Sequence, residues 1–545
     1  MVVVIFASFF TLLILAVPIA MAMGFSTILP ALIDPSFSGN LEFVVRSMIK
    51  GVDTTSILAI PLFMLSGAIM ATGGLSRKLF DVFAVFIGKI KGGMPCAVVV
   101  TCLFYGAISG SGPATCAAVG TMCIPFLYSL GYDKVWSAAL VATAGGLGVI
   151  IPPSIPFISY GLVTDTSVGD MFTAGILPGC LIALCLMAYV QYHCRVKGED
   201  REKIESHYSE LRSRGVLTVI KDGFWALLTP VIILGGIYSG IVTPTEAACV
   251  SVFYAILVCL FIYKTVKVKD LLGFFREGVK TYAPLGMMLA LAQAFMKVLV
   301  LLNAPQTIAH FLSENITSKV LFLFVLNLVM FLLGMVLDVG PAIMIFAPML
   351  LPFARTMGID AVHLGIIMTV NLAAGFVTPP FGMNLFVAAP LIQSRPMTVG
   401  KTALPLIAWY CVALMLITYA VSAILGGRFY ETQKYMIRTQ HVVIDNVFIM
   451  NKKQYDALSE DHKELLKRFF DAVTEDVLQV TEEKDMIAEK DLTDRYGMEI
   501  IEPDQTFIAK LKQGCEPAIA LLREHIGSEI VDQFLEALRF FGKTP

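Results

Sequence analysis

Across residues 1–427, long apolar stretches alternate with short polar ones. A helix rises about 1.5 Å per residue, so about twenty apolar residues cross a hydrocarbon core of about 30 Å. That pattern predicts spanning helices near 1–28, 54–72, 134–164, 172–193, 223–241, 245–263, 282–302, 361–392 and 402–426. Two further blocks, 94–130 and 318–357, are interrupted at their centres. The first has no charge between Lys91 and Asp133, yet Ser109-Gly110-Ser111-Gly112-Pro113 breaks it. Lipid cannot satisfy the backbone groups that a break exposes; protein or a water-filled cavity must do so. About fifteen residues on either side make arms of about 22 Å. Arms that short suggest a re-entrant hairpin, with two short spans joined by a turn as the alternative. Residues 1–28 offer an Ala20-x-Ala22 pattern but no basic leader, since the first charge is Asp34, and read as one retained helix.

The interruptions recur. Gly112-Pro113-Ala114 returns as Gly340-Pro341-Ala342, a shift of 228. Pro125-Phe126, Gly131, Gly148 and Pro152-Pro153 return as Pro352-Phe353, Gly358, Gly375 and Pro379-Pro380, each shifted by 227. Pro18 meets Pro244 at a shift of 226. Each half thus holds a broken hairpin followed by a broken span. Paired interruptions in two halves of a membrane protein point to a transporter's binding site.

Charge then divides the chain and orients it. Residues 1–427 hold 24 Lys+Arg against 19 Asp+Glu, and 428–545 hold 16 against 23. The whole is 57% hydrophobic and 15% charged, against about 45–50% and about 25% for soluble domains. Basic residues concentrate in 194–222 and 264–280, which places both loops in the cytoplasm. Counting outward puts Met1 inside, the first hairpin on the inner side, the second on the outer side and the tail outside. The halves are inverted, with amphipathic pieces at 77–90 and 305–314 carrying the hairpins. The eleven cysteines show no CxxC spacing and read as helix packing. No GxGxxG, Walker loop or HExxH occurs.

At the breaks, unwound backbone presents carbonyl dipoles to a cation and N–H groups to an anion. Asp338 is the only charge between Lys319 and Arg355 and stands at the second break. An intramembrane carboxylate is a functional candidate; capping the helix that follows is the compatible structural role. For Ser109–Gly112 the structural alternative is close helix packing by small residues. Glu246, beside Pro244, reads as a helix start.

The order "VPIAMAMG", "AIPLFMLSG", "AISGSGPAT", "GYDKVWSAAL", "GVIIPPSI", "AGILPG", "TPTEAA", "LDVGPAIMIFAPMLLP" and "GFVTPPFG" resembles the large membrane subunit of tripartite ATP-independent periplasmic (TRAP) transporters. The resemblance implies a sodium-driven elevator importing organic acids, of the dicarboxylate or sugar-acid class. It implies no enzyme activity, no cofactor beyond sodium as coupling ion, and no nucleic acid. Its partners would be a small four-helix membrane subunit and a periplasmic binding protein, in a bacterial inner membrane. One implied sodium site involves Ser109, Gly110 and Ser111 with Gly145 and Gly148; the other, Asp338 and Gly340 with Gly375, Thr378 and Phe381. Ser111, Thr115, Ser154 and Asn384 are the implied substrate residues. Ala68 stands where the family usually shows a Glu.

The tail, from "RFYETQKYMIRTQHVVIDNVFIM" to "YGMEIIEPD", resembles the C-terminal third of the TRAP substrate-binding protein. Its alternation predicts a strand at 441–450, and amphipathic patterns predict helices at 458–491 and 515–540 around a strand in "MEIIEPD". The expected fold is an all-α polytopic membrane protein of two inverted repeats, 1–222 and 223–427, with a small α/β extracytoplasmic tail, 428–545. Two other readings remain open: a stand-alone sodium/dicarboxylate symporter, and a transporter-like membrane sensor.

Overall fold

The structure, a computed structural model, describes residues 1–420 except 16, 35 and 317, together with 435–437 and 499–501. The chain divides into Met1–Gly426 and Gly427–Pro545. In the first unit every regular element among the described residues is a helix, and seven helices are long and apolar enough to cross a membrane.

The first repeat runs α1 (Val2–Ile14), α2 (Ile19–Ile33), α3 (Leu41–Val52), α4 (Ala59–Thr72), α5 (Leu75–Ile87), α6 (Gly93–Ser109), α7 (Gly112–Ser129), α8 (Lys134–Gly145), α9 (Ile155–Thr164) and α10 (Val168–Lys197). A polar helix, α11 (Arg201–Ser213), connects it to the second. There follow α12 (Val216–Tyr238), α13 (Pro244–Leu257), α14 (Val268–Leu301), α15 (Ala304–Asn315), α16 (Lys319–Gly334), α17 (Val339–Thr356), α18 (Ala361–Gly375), α19 (Met383–Leu391) and α20 (Pro396–Met415). The boundary expected at 222/223 therefore falls inside α12.

Both hairpins form where the glycine-proline breaks interrupt the apolar runs. The α6/α7 hairpin turns at Gly110, whose φ of 61° lies in the left-handed region that glycine enters at little cost. Pro113 then sits in the first turn of α7, where its missing N–H loses nothing. The α16/α17 hairpin restarts at Asp338, whose Oδ1 accepts from the Val339 N–H at 2.7 Å. The returning spans start on carboxylate caps: Asp133 accepts from Trp136 N, and Asp360 from Val362 N. The arms of the first hairpin are 17 and 18 residues, somewhat longer than the sequence suggested.

The hairpins are nonetheless re-entrant. The span after each is itself broken midway: between Gly145 and Ile155 in the first half, and between Gly375 and Met383 in the second. Each hairpin ends beside that break. The Ile155 N–H faces Gly110 O at 3.5 Å, and a methyl group on Gly106 would lie 2.7 Å from the Gly148 Cα. In the second half Gly334 and Gly375 meet backbone to backbone. Tip and break share one depth, halfway along a continuous crossing.

The repeats exchange partners. α9 packs on α17 and its counterpart α19 on α7; α20 packs on α8 and its counterpart α10 on α18. This reciprocal packing is what a pseudo-two-fold relation between halves produces.

One element differs from expectation. Residues 1–28 are two helices, not one, and they fold back on each other, with Ser8 Oγ donating to Ser26 Oγ at 2.9 Å. The reason is Pro18: it lacks an N–H, disfavours helical backbone at Val17, and becomes the N-cap of α2. In the second unit, β1 (Tyr435–Ile437) pairs in parallel with β2 (Glu499–Ile501), the latter within "MEIIEPD". The strand expected at 441–450 and the helices expected at 458–491 and 515–540 lie outside the described residues.

Candidate functional site

The two hairpin tips and both breaks border one cavity of about 190 Å³. Gly110, Ser111 and Pro113 enter from the first tip, Asp338 and Gly340 from the second. Val149 and Ile155 come from the first break and Phe376 from the second. Met64 of α4 and Thr281 and Leu285 of α14 close the remaining wall. The walls are largely apolar, with the polar groups concentrated at the tips. That arrangement suits a small anion or a cation held by a few convergent oxygens and N–H groups.

At the first tip the polar groups mostly close on one another. Ser109 Oγ and Thr115 Oγ1 lie 2.8 Å apart, and Thr115 Oγ1 donates to Ser111 O at 2.8 Å. Gly148 is pressed against the same carbonyl: a methyl group there would come within 2.6 Å of Ser111 O. Ser109, Gly110, Ser111 and Gly148 therefore lie together at this tip. Gly145 packs against Cys116 and Asn384, and its carbonyl oxygen faces the same tip, 3.4 Å from where a Cβ on Gly112 would lie. Among the four expected substrate residues, Ser111 alone lines the cavity. Thr115 is buried in the hydroxyl cluster, and Ser154 Oγ donates to Val149 O at 2.5 Å. Asn384 Nδ2 reaches across the halves to Ala142 O at 2.8 Å, leaving its buried Oδ1 without a partner.

The second tip is more open. Asp338 uses Oδ1 as a cap while bordering the cavity, so the capping and site roles coincide in one side chain. Gly340 has nothing within 4 Å of the position a Cβ would take. Gly375 and Thr378 lie together, the Thr378 N–H donating to Gly375 O at 3.1 Å and its Oγ1 to Ala374 O at 2.8 Å. Phe381 is 61% exposed and does not line the cavity. Glu246 forms a capping box with Thr243, as a helix start should.

Sequence reasoning passed over several residues. Phe376 stands between the tips: a Cβ on Gly112 would lie 3.1 Å from its ring. The Gly106/Gly334 pair repeats at the same 228 shift as Gly112/Gly340, a signal present in the sequence. Buried Asn327 and Asn371, joined at 2.6 Å, were visible as isolated amides in apolar runs. Of the ten cysteines among the described residues, six are buried.

Residues 6–423 match the family described as the tripartite ATP-independent periplasmic transporter, DctM component. The chain belongs to the TRAP large permease family. Residues 419–524 match a second family, the bacterial extracellular solute-binding protein, family 7, DctP. This permease chain is 39% identical over 419 residues to the isethionate TRAP transporter permease protein DctMQ of Oleidesulfovibrio alaskensis, covering 76% of this chain and 64% of that longer one. It is 40% identical over 379 residues to the C4-dicarboxylate TRAP transporter large permease protein DctM of Pseudomonas aeruginosa, covering 69% and 87%. With the sialic acid TRAP transporter large permease protein SiaM of Vibrio cholerae it shares 31% over 399 residues, covering 73% and 92%. These relatives are named as transporter permeases, not enzymes, and the TRAP permease body is a multi-pass membrane protein.

Proposed function

We propose that this chain is the large membrane subunit of a sodium-driven importer of organic anions. The supporting observation is a cavity at which both broken hairpins meet, with Asp338 of one tip and Gly110 and Ser111 of the other on its border. Sodium is held at the tips, through the carbonyls around Ser109, Gly110, Ser111 and Gly148 and through Asp338, Gly340, Gly375 and Thr378. Thr115 and Ser154 act by fixing the backbone, and Asn384 by joining the halves. The substrate carries at least one acid group, in keeping with relatives named for isethionate, C4-dicarboxylates and sialic acid. It moves with the hairpin pair as a body against α4 and α14. A small membrane subunit and a soluble binding protein complete the system.

The basic loops 194–222 and 264–280 face the cytoplasm, and the tail faces the periplasm. α1 and α2, of 13 and 15 residues, stand in place of the one spanning helix expected at 1–28, and each is shorter than a full crossing. The test is uptake of labelled dicarboxylates, sialic acid and isethionate into proteoliposomes holding the chain with its partner subunits. Accumulation should need an inward sodium gradient. Equal accumulation with choline replacing sodium would refute the coupling, and full uptake without any binding protein would favour a stand-alone symporter.

A further inference from the structure

The two ends of the first hairpin are joined by one buried carboxylate that belongs to neither arm. Glu199 lies in the turn between α10 and α11, and its side chain is 1% exposed. Its Oε1 accepts from the Gly92 N–H, at the start of α6, at 2.7 Å. The same oxygen accepts from Tyr132 Oη, in the turn between α7 and α8, also at 2.7 Å. Both donors are held for this purpose: Gly92 has a φ of 69°, and Tyr132 is 9% exposed. Around this clasp the α11 segment adds weaker ties. Arg201 Nη1 donates to Lys89 O at 3.4 Å, Tyr208 Oη to Val85 O at 3.3 Å, and the His207 ring meets Phe126 at 4.7 Å. Farther along, Arg214 pairs with Asp81 of α5 at 3.6 Å.

The second hairpin has no such fastening among the described residues. Ile359, at the position matching Tyr132, has no hydroxyl to offer. Its ends are linked by an exposed contact, from Lys319 Nζ to Gly358 O at 3.0 Å.

We propose that Glu199 is a positioning residue for the first ion-binding tip, acting through the hairpin's two arms. Each arm is a continuous helix packed on its neighbour, so the spacing of the arms at their base fixes their spacing at the tip. There the Ser109 and Thr115 hydroxyls close on the Ser111 carbonyl. A buried anion with two N–H and O–H donors on one oxygen holds that base more firmly than neutral partners would. Loss of the carboxylate leaves both donors buried and unpaired, and the arms separate.

The inference rests on the transport reading only for its sodium readout, so the experiment carries a second readout that does not need it. The full chain is prepared as wild type, Glu199→Ala, Glu199→Gln and Tyr132→Phe. Amide exchange is followed at the base (88–95 and 130–135) and at the tip (106–116), and sodium-dependent uptake in parallel. Glu199→Ala should speed exchange at base and tip alike, by about fivefold or more. It should also raise the sodium concentration for half-maximal uptake without a matching fall in the maximal rate. Tyr132→Phe, which removes one of the two links and no packing, should do the same more weakly. Glu199→Gln retains a carbonyl acceptor and should restore most of both. Faster exchange confined to the base, with the tip unchanged in Glu199→Ala and Tyr132→Phe, would overturn the proposal. If Glu199→Ala fails to insert, Tyr132→Phe decides by the same two measurements. A wild type that transports without sodium would sink the coupling and leave tip exchange to judge the clasp.

Discussion

The two hairpins share a plan and differ in how they are held. The first closes on itself at the tip, where the Ser109 and Thr115 hydroxyls engage the Ser111 carbonyl, and is clasped at the base by Glu199. Its arm α6 meets α8 through apolar residues: Val99 and Ala144 occupy the positions that hold Asn327 and Asn371 in the second half. The second hairpin carries the lone charge, Asp338, leaves Gly340 open to the cavity, and is tied to α18 by a buried amide pair. Duplication supplied the frame, and the halves then diverged in what they put on it. One tip is built mainly of neutral oxygens and fixed from outside; the other adds a carboxylate.

The largest effect should come from what the halves keep in common. A methyl group on Gly375 would overlap the Gly334 backbone, and backbone cannot step aside as a side chain can. Overpacking of this kind costs about 1–3 kcal/mol, with rigid neighbours at the upper end. Gly375→Ala should therefore lower the thermal transition of the purified protein more than any other change considered. Gly148→Ala, which meets Thr115 and the Ser111 carbonyl, should follow closely. If Gly148→Ala is severe and Gly375→Ala is mild, the two crossings are not equivalent and the symmetry is weaker than the backbone suggests.

The next effect separates the halves. Asp338→Asn retains size and one carbonyl oxygen but removes the charge. A charge-assisted contact is worth about 1.5–3 kcal/mol, or roughly ten- to hundredfold in affinity. A sodium titration of uptake should show a shift of that size, with insertion unchanged. Ser111→Ala removes a neutral oxygen from the other tip and should shift the curve by about fivefold. Equal shifts would erase the distinction drawn between the tips; no shift in Asp338→Asn would leave Asp338 as a cap alone.

The buried amide pair gives a smaller, stability-only contrast. Asn371 Nδ2 donates to Asn327 Oδ1, and Thr418 Oγ1 to the same oxygen at 3.2 Å. Either single change, Asn327→Val or Asn371→Ala, removes the amide–amide bond and leaves the other amide with one remaining partner, Ile367 O for Asn371 or Thr418 Oγ1 for Asn327, and should cost about 1 kcal/mol. The double change copies the first half and should cost less than the sum of the singles. Thermal unfolding of the four proteins closes this double-mutant cycle; strict additivity would mean the amides do not depend on each other.

Much of this frame was legible because membrane sequences advertise their exceptions. A Gly/Pro cluster or a lone Asp within an uncharged run has few structural excuses, and the 227–228 shift exposed both hairpins at once. The α1/α2 turn was hidden for the opposite reason: one proline in a uniformly apolar run of spanning length looks like a tolerated kink. Side-chain destinations were the least readable. Thr115, Ser154 and Thr378 carry hydroxyls that suggest ligands, yet all three donate to backbone carbonyls of the broken segments. Nothing in spacing distinguishes a hydroxyl that binds a ligand from one that repairs the break beside it. Glu199 was invisible because it lies in a polar loop and its partners are far away in sequence.

The smallest effect is also the most discriminating. Gly112 and Gly340 occupy matching positions, each one residue before a proline at the start of the second arm. A Cβ on Gly112 would press on the Phe376 ring at 3.1 Å, whereas a Cβ on Gly340 would enter open space. Gly340 lines the cavity, so that open space is the proposed site itself. In a helix, alanine is favoured over glycine by up to about 1 kcal/mol. Gly340→Ala should therefore leave the thermal transition unchanged or slightly raised. Gly112→Ala sets the same gain against a ring that must shift, and should come out slightly lower. Function should run the other way for Gly340. A methyl group in a cavity of about 190 Å³ displaces ligand or water from beside Asp338, so uptake should fall while stability does not. A Gly340→Ala protein as stable and as active as wild type would show that nothing passes that wall, and would move the site toward the first tip.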